Sequence, residues 1–170
     1  IKVLRTFLGN MASPYTCWLL MRSLETLKVR MEQQARNAQE VARFLVNHAQ
    51  VSNLYYLGAI DFTHPSFGIY KKQYSSSGAM IAFEIKGTQK EAFTFLNNLK
   101  LIKLAVSLGG TESLAQHPAT MTHAGVCPEL KKEIGITAGL IRISIGVEHH
   151  ADLIADIDAS FAAIKSLYVL

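Results

Sequence analysis

From Tyr15 to Asn47 the chain runs without a glycine or a proline, and Ser13-Pro14 stands directly ahead of that run. A serine there can cap a helix, and the fixed φ of proline suits the first helical position. Apolar residues recur at Trp18, Met21, Leu24 and Leu27, then at Met31, Ala35, Ala38, Val41 and Leu45. Those steps of three and four trace one face of a helix. A helix of this length exceeds the usual range in globular proteins, so it is expected to bend near its middle or to run between two domains. Arg22, Lys28, Arg30 and Glu32 read as its solvated face.

Beyond it the pattern shortens. Val51 to Leu57 is a short apolar and aromatic segment that ends at Gly58, and reads as a strand. Residues 58–77 read as irregular because Pro65, Gly68 and the Ser75-Ser76-Ser77 run oppose regular structure. Ala79 to Ile85 alternates, with Ile81, Phe83 and Ile85 on one face and Met80, Ala82 and Glu84 on the other. Thr88 with Glu91 forms a capping box ahead of a helix striped by Ala92, Phe95, Leu96 and Leu99. Leu101 to Val106 reads as a strand, and Pro128 to Lys132 as one or two helical turns. Leu140 to Ile145 is the last strand. Ile141, Ile143 and Ile145 share one of its faces, leaving Arg142 and Ser144 on the other.

The final helix begins near Ala151. Asp152 and Asp156 lie in its early turns, where the dipole favours acids, and Leu153, Ile157, Phe161 and Ile164 face inward. His149-His150 lies near its start, facing solvent. The order predicts an α+β domain: an antiparallel or mixed sheet with helices on one side and a long helix ahead of it. The sheet face that carries Arg142 then has no helix over it, and should meet another domain or subunit.

A chain of 170 residues, 49% apolar and 18% charged, suits one ordinary domain with a real core. The net charge of +4 is small and scattered, which argues against nucleic acid. No stretch of the ~18 apolar residues needed to span a membrane is present. Cys17 and Cys127 are the only cysteines; they read as reduced thiols in a cytoplasmic protein. No pair of the six histidines has helical metal spacing around a carboxylate, so no metal is expected. The opening Ile1-Lys2-Val3-Leu4-Arg5 reads as the middle of something longer.

Which residues are suited to chemistry? Arg142, centred in an apolar strand, costs free energy unless its charge is satisfied. Its planar fork suits a carboxylate held by two hydrogen bonds; a structural ion pair with Glu84 or Glu112 is the equal alternative. Ser107 opens the Gly109-Gly110 turn, where bare backbone lets a ligand approach; equally, it can cap its own turn. Thr122 and His123 follow the turn at Pro118, and hydrogen bonding within the loop explains them more simply. Glu112 can hold a cation or pair with an arginine, and Cys127 reads as a bystander. By themselves these residues support an anion site and no reaction.

The segments SLGGTESLAQHPATMTH and GLIRISIGVE resemble the carboxy-terminal domain of the pyridoxal-phosphate enzymes of cysteine and methionine metabolism. SPYTCWLLMRSLETLKVRMEQQARNAQEVARFL looks like the helix joining their large and small domains, and GAMIAFEIKG like the first strand of the small one. The resemblance covers essentially the whole chain. It implies an aspartate-aminotransferase-type fold (fold type I), with residues 1–47 the end of the large domain and the connecting helix, and 48–170 the small α+β domain. It implies that Arg142 clamps a substrate's α-carboxylate, that Ser107 lines the substrate side of the site, and that Thr122 lies close by.

The family's Schiff-base lysine, ring-binding aspartate and phosphate-binding turn have no match here. The resemblance therefore implies no catalytic or cofactor-binding residue in this segment, pyridoxal phosphate held mainly by a missing large domain, and inactivity of the segment alone. QHPATMTH and GITAGLIRISIGVE look most like methionine γ-lyases, which eliminate methanethiol from L-methionine to leave 2-oxobutanoate and ammonia. GGTES looks more like cystathionine γ-lyase or γ-synthase, and the sulfhydrylases acting on O-acylhomoserine belong to the same group. The family also implies a homotetramer acting on a small amino acid. A non-catalytic amino-acid-binding module is the alternative of another class.

Overall fold

The computed structural model describes residues 1–167. The long apolar-striped run is two helices. After a short helix α1 (Lys2–Leu8), α2 (Pro14–Glu25) starts with the Ser13 hydroxyl accepting from the Thr16 N–H, and α3 (Leu27–Val46) follows it. The predicted bend falls at Thr26, with φ −104° and ψ 2°. Arg30, read from sequence as a solvated charge, spans the break: its guanidinium donates to the Ser23 carbonyl at 3.0 Å and to the Thr26 hydroxyl at 3.3 Å. A side chain that takes up the freed carbonyl is a sufficient cause for such a bend.

The remaining elements are β1 (Val51–Tyr55), a 3-10 turn (Leu57–Ala59), α4 (Phe67–Gln73), β2 (Met80–Ile85), α5 (Gln89–Asn98), β3 (Lys103–Leu104), β4 (Leu114–Gln116), α6 (Pro128–Glu133), β5 (Leu140–Ser144) and α7 (His150–Ser166). The five strands form one sheet in the order β1-β2-β5-β4-β3. All neighbours are antiparallel except β3 and β4. This is the expected α+β domain with a mixed sheet.

The helices α3, α5 and α7 pack on the face formed by Ile81, Phe83, Ile85, Ile141, Ile143 and Ile145, all of which are buried. Phe161 lies fully buried at the centre, 4.7 Å from the Phe95 ring and 6.2 Å from Phe83 between centroids. Burial of each such side chain contributes roughly 1.5–3 kcal/mol. Burial along α3 begins at Gln34, so its second half belongs to the helix layer, whereas α1 and α2 bury nothing. The capping box of α5 forms as read, with the Glu91 carboxylate accepting from the Thr88 N–H at 2.6 Å. The His149 imidazole caps α7 by accepting from the Ala151 N–H at 3.3 Å.

Several readings need correction. The stretch read as irregular contains the seven-residue α4, and the seven-residue α1 also escaped notice, although Val3, Leu4, Phe7 and Leu8 recur at helical spacing; neither helix has a buried residue. The strand expected over Leu101–Val106 is only two residues long. Its start is diverted: the N–H groups of Lys100, Leu101 and Ile102 all donate to the Asp156 carboxylate, at 2.8, 3.0 and 2.9 Å, and cannot join a ladder. Asp156, read as a complement to the helix dipole, is thus the cap of the α5–β3 turn. Finally, β4 lies within what reads as a polar loop. All three of its residues are buried, because it sits between β5 and β3.

Removing the Asp156 carboxylate orphans three backbone donors. Asp156→Ala is expected to lower stability by about 2 kcal/mol, within the range for charge-assisted hydrogen bonds, as read by denaturant unfolding; a loss within error of zero would refute the capping role.

His48 adds a pH dependence. Its ring stacks on Phe161 at 4.0 Å and its Nδ1 accepts from the Gln50 N–H. Burial holds its pKa below the ordinary 6.5, Asp158 at 3.8 Å works in the opposite direction, and Lys165 adds to the lowering. With the folded value below the unfolded one, the unfolded chain takes up the proton first. The contribution is complete above pH ~6.5 and declines as pH falls below it. The thermal midpoint should therefore drop more between pH 7.5 and 5.5 in the parent protein than in His48→Gln; equal drops would show that His48 is not the group responsible.

Candidate substrate-carboxylate site

β5 is the central strand, and its two-residue period sends Ile141 and Ile143 into the core and Arg142 to the opposite face. Arg142 pairs in register with Ala82 on one side and Gln116 on the other. It is half-buried, and burial draws its pKa below the ordinary value; the guanidinium remains a cation at neutral pH. Its Nη2 donates to the carbonyls of Val106 at 2.8 Å and Ser107 at 3.1 Å.

The Gln116 side chain occupies the other side of the fork. Its amide is oriented by its neighbours: with Oε1 toward the cation it accepts from Arg142 Nη1 at 3.1 Å, from Arg142 Nε at 3.3 Å and from the Thr122 hydroxyl at 3.2 Å. Thr122 Oγ1 in turn lies 2.9 Å from His123 Nδ1. Arg142, Gln116 and Thr122 therefore form one chain of hydrogen bonds, and the backbone at Ser107 closes its other end. The structure brings the three sequence candidates together: Arg142 with the Ser107 backbone directly, and Thr122 through Gln116.

Neither predicted ion pair forms. Glu84 accepts from Asn53 at 2.5 Å and from Thr137 at 2.8 Å, and Glu112 accepts from the Thr111 hydroxyl at 3.5 Å. Among the described residues Arg142 has no carboxylate partner. The Ser107 hydroxyl caps nothing among those residues; the side chain is exposed, and only its carbonyl is engaged. The loop hydrogen bonding read for Thr122 and His123 is present.

Two residues escaped the sequence reading. Gln116 is 1% exposed, and it gives no signal in LAQHP unless β4 is known to pair with β5. His117, also 1% exposed, lies 2.9 Å from the Thr120 hydroxyl through Nδ1 and 2.9 Å from the Ala138 carbonyl through Nε2. It ties the turn that carries Thr122 to the loop that leads into β5.

The arrangement offers a cation and hydroxyls on the face away from the helices, with the buried Gln116 amide bracing the cation, which suits a carboxylate. It does not fit a pyridine ring, a phosphate or an imine by itself. No lysine among the described residues donates to Ser107, Gln116, Thr122 or Arg142; Lys131, the lysine of the adjacent loop, is spent on the carbonyls of Ala119 and Ala124. A cleft of about 1240 Å³ opens elsewhere, between the edge of the sheet and residues 57–78, with Met31, Tyr56, Tyr74 and Met80 in its wall. Its lining contains no lysine or arginine, so the Arg142 cluster is the better anion site.

The family model for Cys/Met metabolism PLP-dependent enzymes matches residues 1–162. The chain is 45% identical over 155 residues to an L-methionine gamma-lyase of Fusobacterium nucleatum subsp. nucleatum, covering 91% of this chain and 39% of that protein. It is 44% identical over 163 residues to a cystathionine gamma-lyase of Mus musculus, covering 96% of this chain and 40% of that one. Its structure is similar to that of a cystathionine gamma-lyase from Lactobacillus plantarum complexed with L-serine, with TM-score 0.87 and 39% identity over 96% of this chain and 42% of that one. A cystathionine gamma synthase from Xanthomonas oryzae pv. oryzae, in complex with aminoacrylate and cysteine, gives TM-score 0.86 and 38% identity over 94% and 41%. The chain thus spans about two fifths of the length of these relatives. Over that span, with a matching fold and a matching sequence, it belongs to the Cys/Met metabolism PLP-dependent enzyme family.

Proposed function

We propose that this chain supplies the substrate-carboxylate side of a pyridoxal-phosphate-dependent carbon–sulfur lyase of the methionine γ-lyase kind, which converts L-methionine to methanethiol, 2-oxobutanoate and ammonia. The observation that carries this reading is Arg142. It is a cation in the central strand, on the face away from the helices, with no carboxylate of its own among the described residues. A substrate α-carboxylate would take hydrogen bonds from its fork, with Gln116 and Thr122 orienting the guanidinium and Ser107 bounding the pocket.

The family's cofactor, when bound, supplies the electron sink for carbanion chemistry. The residues here bind and orient, and no step at the cofactor is assigned to them. The imine-forming amine would come from outside residues 1–170, in keeping with a division in which residues 1–47 lead out of a large domain and 48–170 form the small one. The apolar side chains left exposed on α1 and α2, Phe7 at 84% and Trp18 at 53% among them, support assembly with further protein, and a homotetramer is the form we propose. Two free, exposed thiols, Cys17 and Cys127, support a reducing, cytoplasmic setting.

Cystathionine is the second substrate to consider, because relatives named L-methionine gamma-lyase and cystathionine gamma-lyase match about equally well, at 45% and 44%. Steady-state turnover of L-methionine against L-cystathionine by the full-length enzyme decides between them. A higher kcat/KM on cystathionine would overturn the methionine assignment.

In that enzyme, Arg142→Lys keeps the charge but loses the fork. A charge-assisted hydrogen bond contributes about 1.5–3 kcal/mol, so kcat/KM should fall about 10- to 100-fold at 1.4 kcal/mol per decade, and further in Arg142→Ala. Cofactor content should stay unchanged. A purely structural Arg142, holding the Val106 and Ser107 carbonyls, would instead lower the thermal midpoint and leave kinetics intact. Residues 1–170 alone should be inactive and should give no stoichiometric, borohydride-trapped pyridoxal adduct on one defined lysine; such an adduct would show that the amine lies within this chain.

A further inference from the structure

The segment between β3 and β4 leaves the sheet after Ala105, whose N–H donates to the Ala115 carbonyl, and rejoins it at Ser113, whose carbonyl accepts from Lys103. In between it has no strand beside it. Its first two carbonyls, Val106 and Ser107, are held by Arg142. The rest of the segment is braced from a different direction.

Gln34 and Asn37 of α3 are both 1% exposed, although they are polar residues in the part of that helix that packs against the sheet domain. Gln34 Nε2 donates to the Gly110 carbonyl at 2.5 Å, across 76 residues. Asn37 Nδ2 donates to the carbonyls of Gly146 at 3.0 Å and Glu148 at 2.6 Å, while its Oδ1 accepts from Gln33 Nε2 at 2.8 Å. The Glu148 carboxylate accepts from the Ser113 N–H at 2.6 Å and from the Ser113 hydroxyl at 2.8 Å, and that hydroxyl accepts from the Gly146 N–H at 2.8 Å. The Val147 N–H donates to the Thr111 carbonyl at 2.8 Å, and the Gly109 N–H to Ser144 Oγ at 3.1 Å. A Cβ at Gly146 would collide with the Thr111 carbonyl and the Glu148 carboxylate, so the two loops touch there with no room for a side chain.

These contacts have a consequence for ligand binding. The fork of Arg142 is already in use, and a carboxylate that takes its Nη2 hydrogens displaces the Val106 and Ser107 carbonyls. At that moment the Val106 and Ser107 carbonyls lose their partner, while the segment stays held at Gly109 by Ser144 Oγ and at its far end by Gln34 and, through Gly146 and Glu148, by Asn37. Because Arg142 touches the peptide groups at 106 and 107, a carboxylate seated on it must lie against this same segment. Where the segment stands therefore sets how well the carboxylate fits.

We propose that Gln34 and Asn37 are positioning residues for the carboxylate site: α3 acts as a strut that holds the 106–113 segment in place while a ligand carboxylate replaces its carbonyls on Arg142. This rests on the assignment of Arg142 to the substrate carboxylate. It predicts that loosening the strut weakens recognition of the carboxylate in particular, not of the ligand as a whole.

The test uses the full-length enzyme with its cofactor and two unreactive inhibitors, L-norleucine and n-pentylamine, which share a chain and differ by the carboxylate. Asn37→Leu removes two donors. Gln34→Met removes one, keeps the side-chain length, and serves if the first variant fails to fold. In either variant the inhibition constant for norleucine should rise about tenfold, the lower end of what an orphaned buried carbonyl costs, while that for pentylamine moves less than about twofold. KM for the amino-acid substrate should rise more than kcat falls. Arg142→Ala is the control, and should abolish the preference for norleucine outright. If Arg142→Ala does so but the α3 variants shift both inhibitors alike, or neither, the strut proposal is wrong and the carboxylate assignment stands. If Arg142→Ala leaves the preference intact, the assignment beneath both proposals fails.

Discussion

A strand turns successive side chains to opposite faces, and in β5 that constraint is imposed at the middle of the sheet. Ile141 and Ile143 are fully buried against the helix layer. With those two fixed, Arg142 has no freedom: it must stand on the other face, in register with Gln116 and Ala82. A slip of one residue would bury the guanidinium among Phe83, Phe95 and Phe161 and expose the isoleucines, at a cost far beyond the stability of a domain this size. The apolar core is thus what aims the cation, and the candidate site is a by-product of packing on the opposite side of the same strand.

The helix layer reaches the site by a second route. α3 contributes Ala38, Val41 and Leu45 to the core, and one turn earlier it carries Gln34 and Asn37, which satisfy backbone carbonyls that no strand reaches. Buried backbone acceptors need partners wherever the chain leaves regular structure. Here those partners come from a helix that continues, through the break at Thr26, into segments with no buried residue. Under the proposed division into two domains, the same helix would link the cofactor-bearing part of the enzyme to the loops around Arg142.

Placement in a PLP-dependent family gives this geometry its chemical setting. Under the proposed reading the segment contributes recognition, with the Arg142 cation and nearby hydroxyls arranged for a carboxylate, and none of its described lysines joins that cluster. Where a carboxylate would compete with the Val106 and Ser107 carbonyls for the Arg142 fork, binding exchanges one set of hydrogen bonds for another, and the net gain depends on how well the displaced segment is held.

Sequence periodicity by itself determined the elements whose apolar residues repeat: the Ser13-capped helices, β2, the Thr88 capping box with α5, β5 and α7. It also determined that Ile141 and Ile143 oppose Arg142, because the two-residue period of a strand is a local property. The motifs around Ser107, Thr122 and Arg142 were legible through resemblance to a family. Tertiary structure alone decided the rest. β4 became a strand because its backbone pairs with β5 on one side and β3 on the other, and β3 was cut short because Asp156, more than 50 residues away, claims the N–H groups at its start. Gln116, Gln34 and Asn37 acquired their parts from contacts across long stretches of chain, and an amide carries no local pattern that announces which distant carbonyl or cation it will meet.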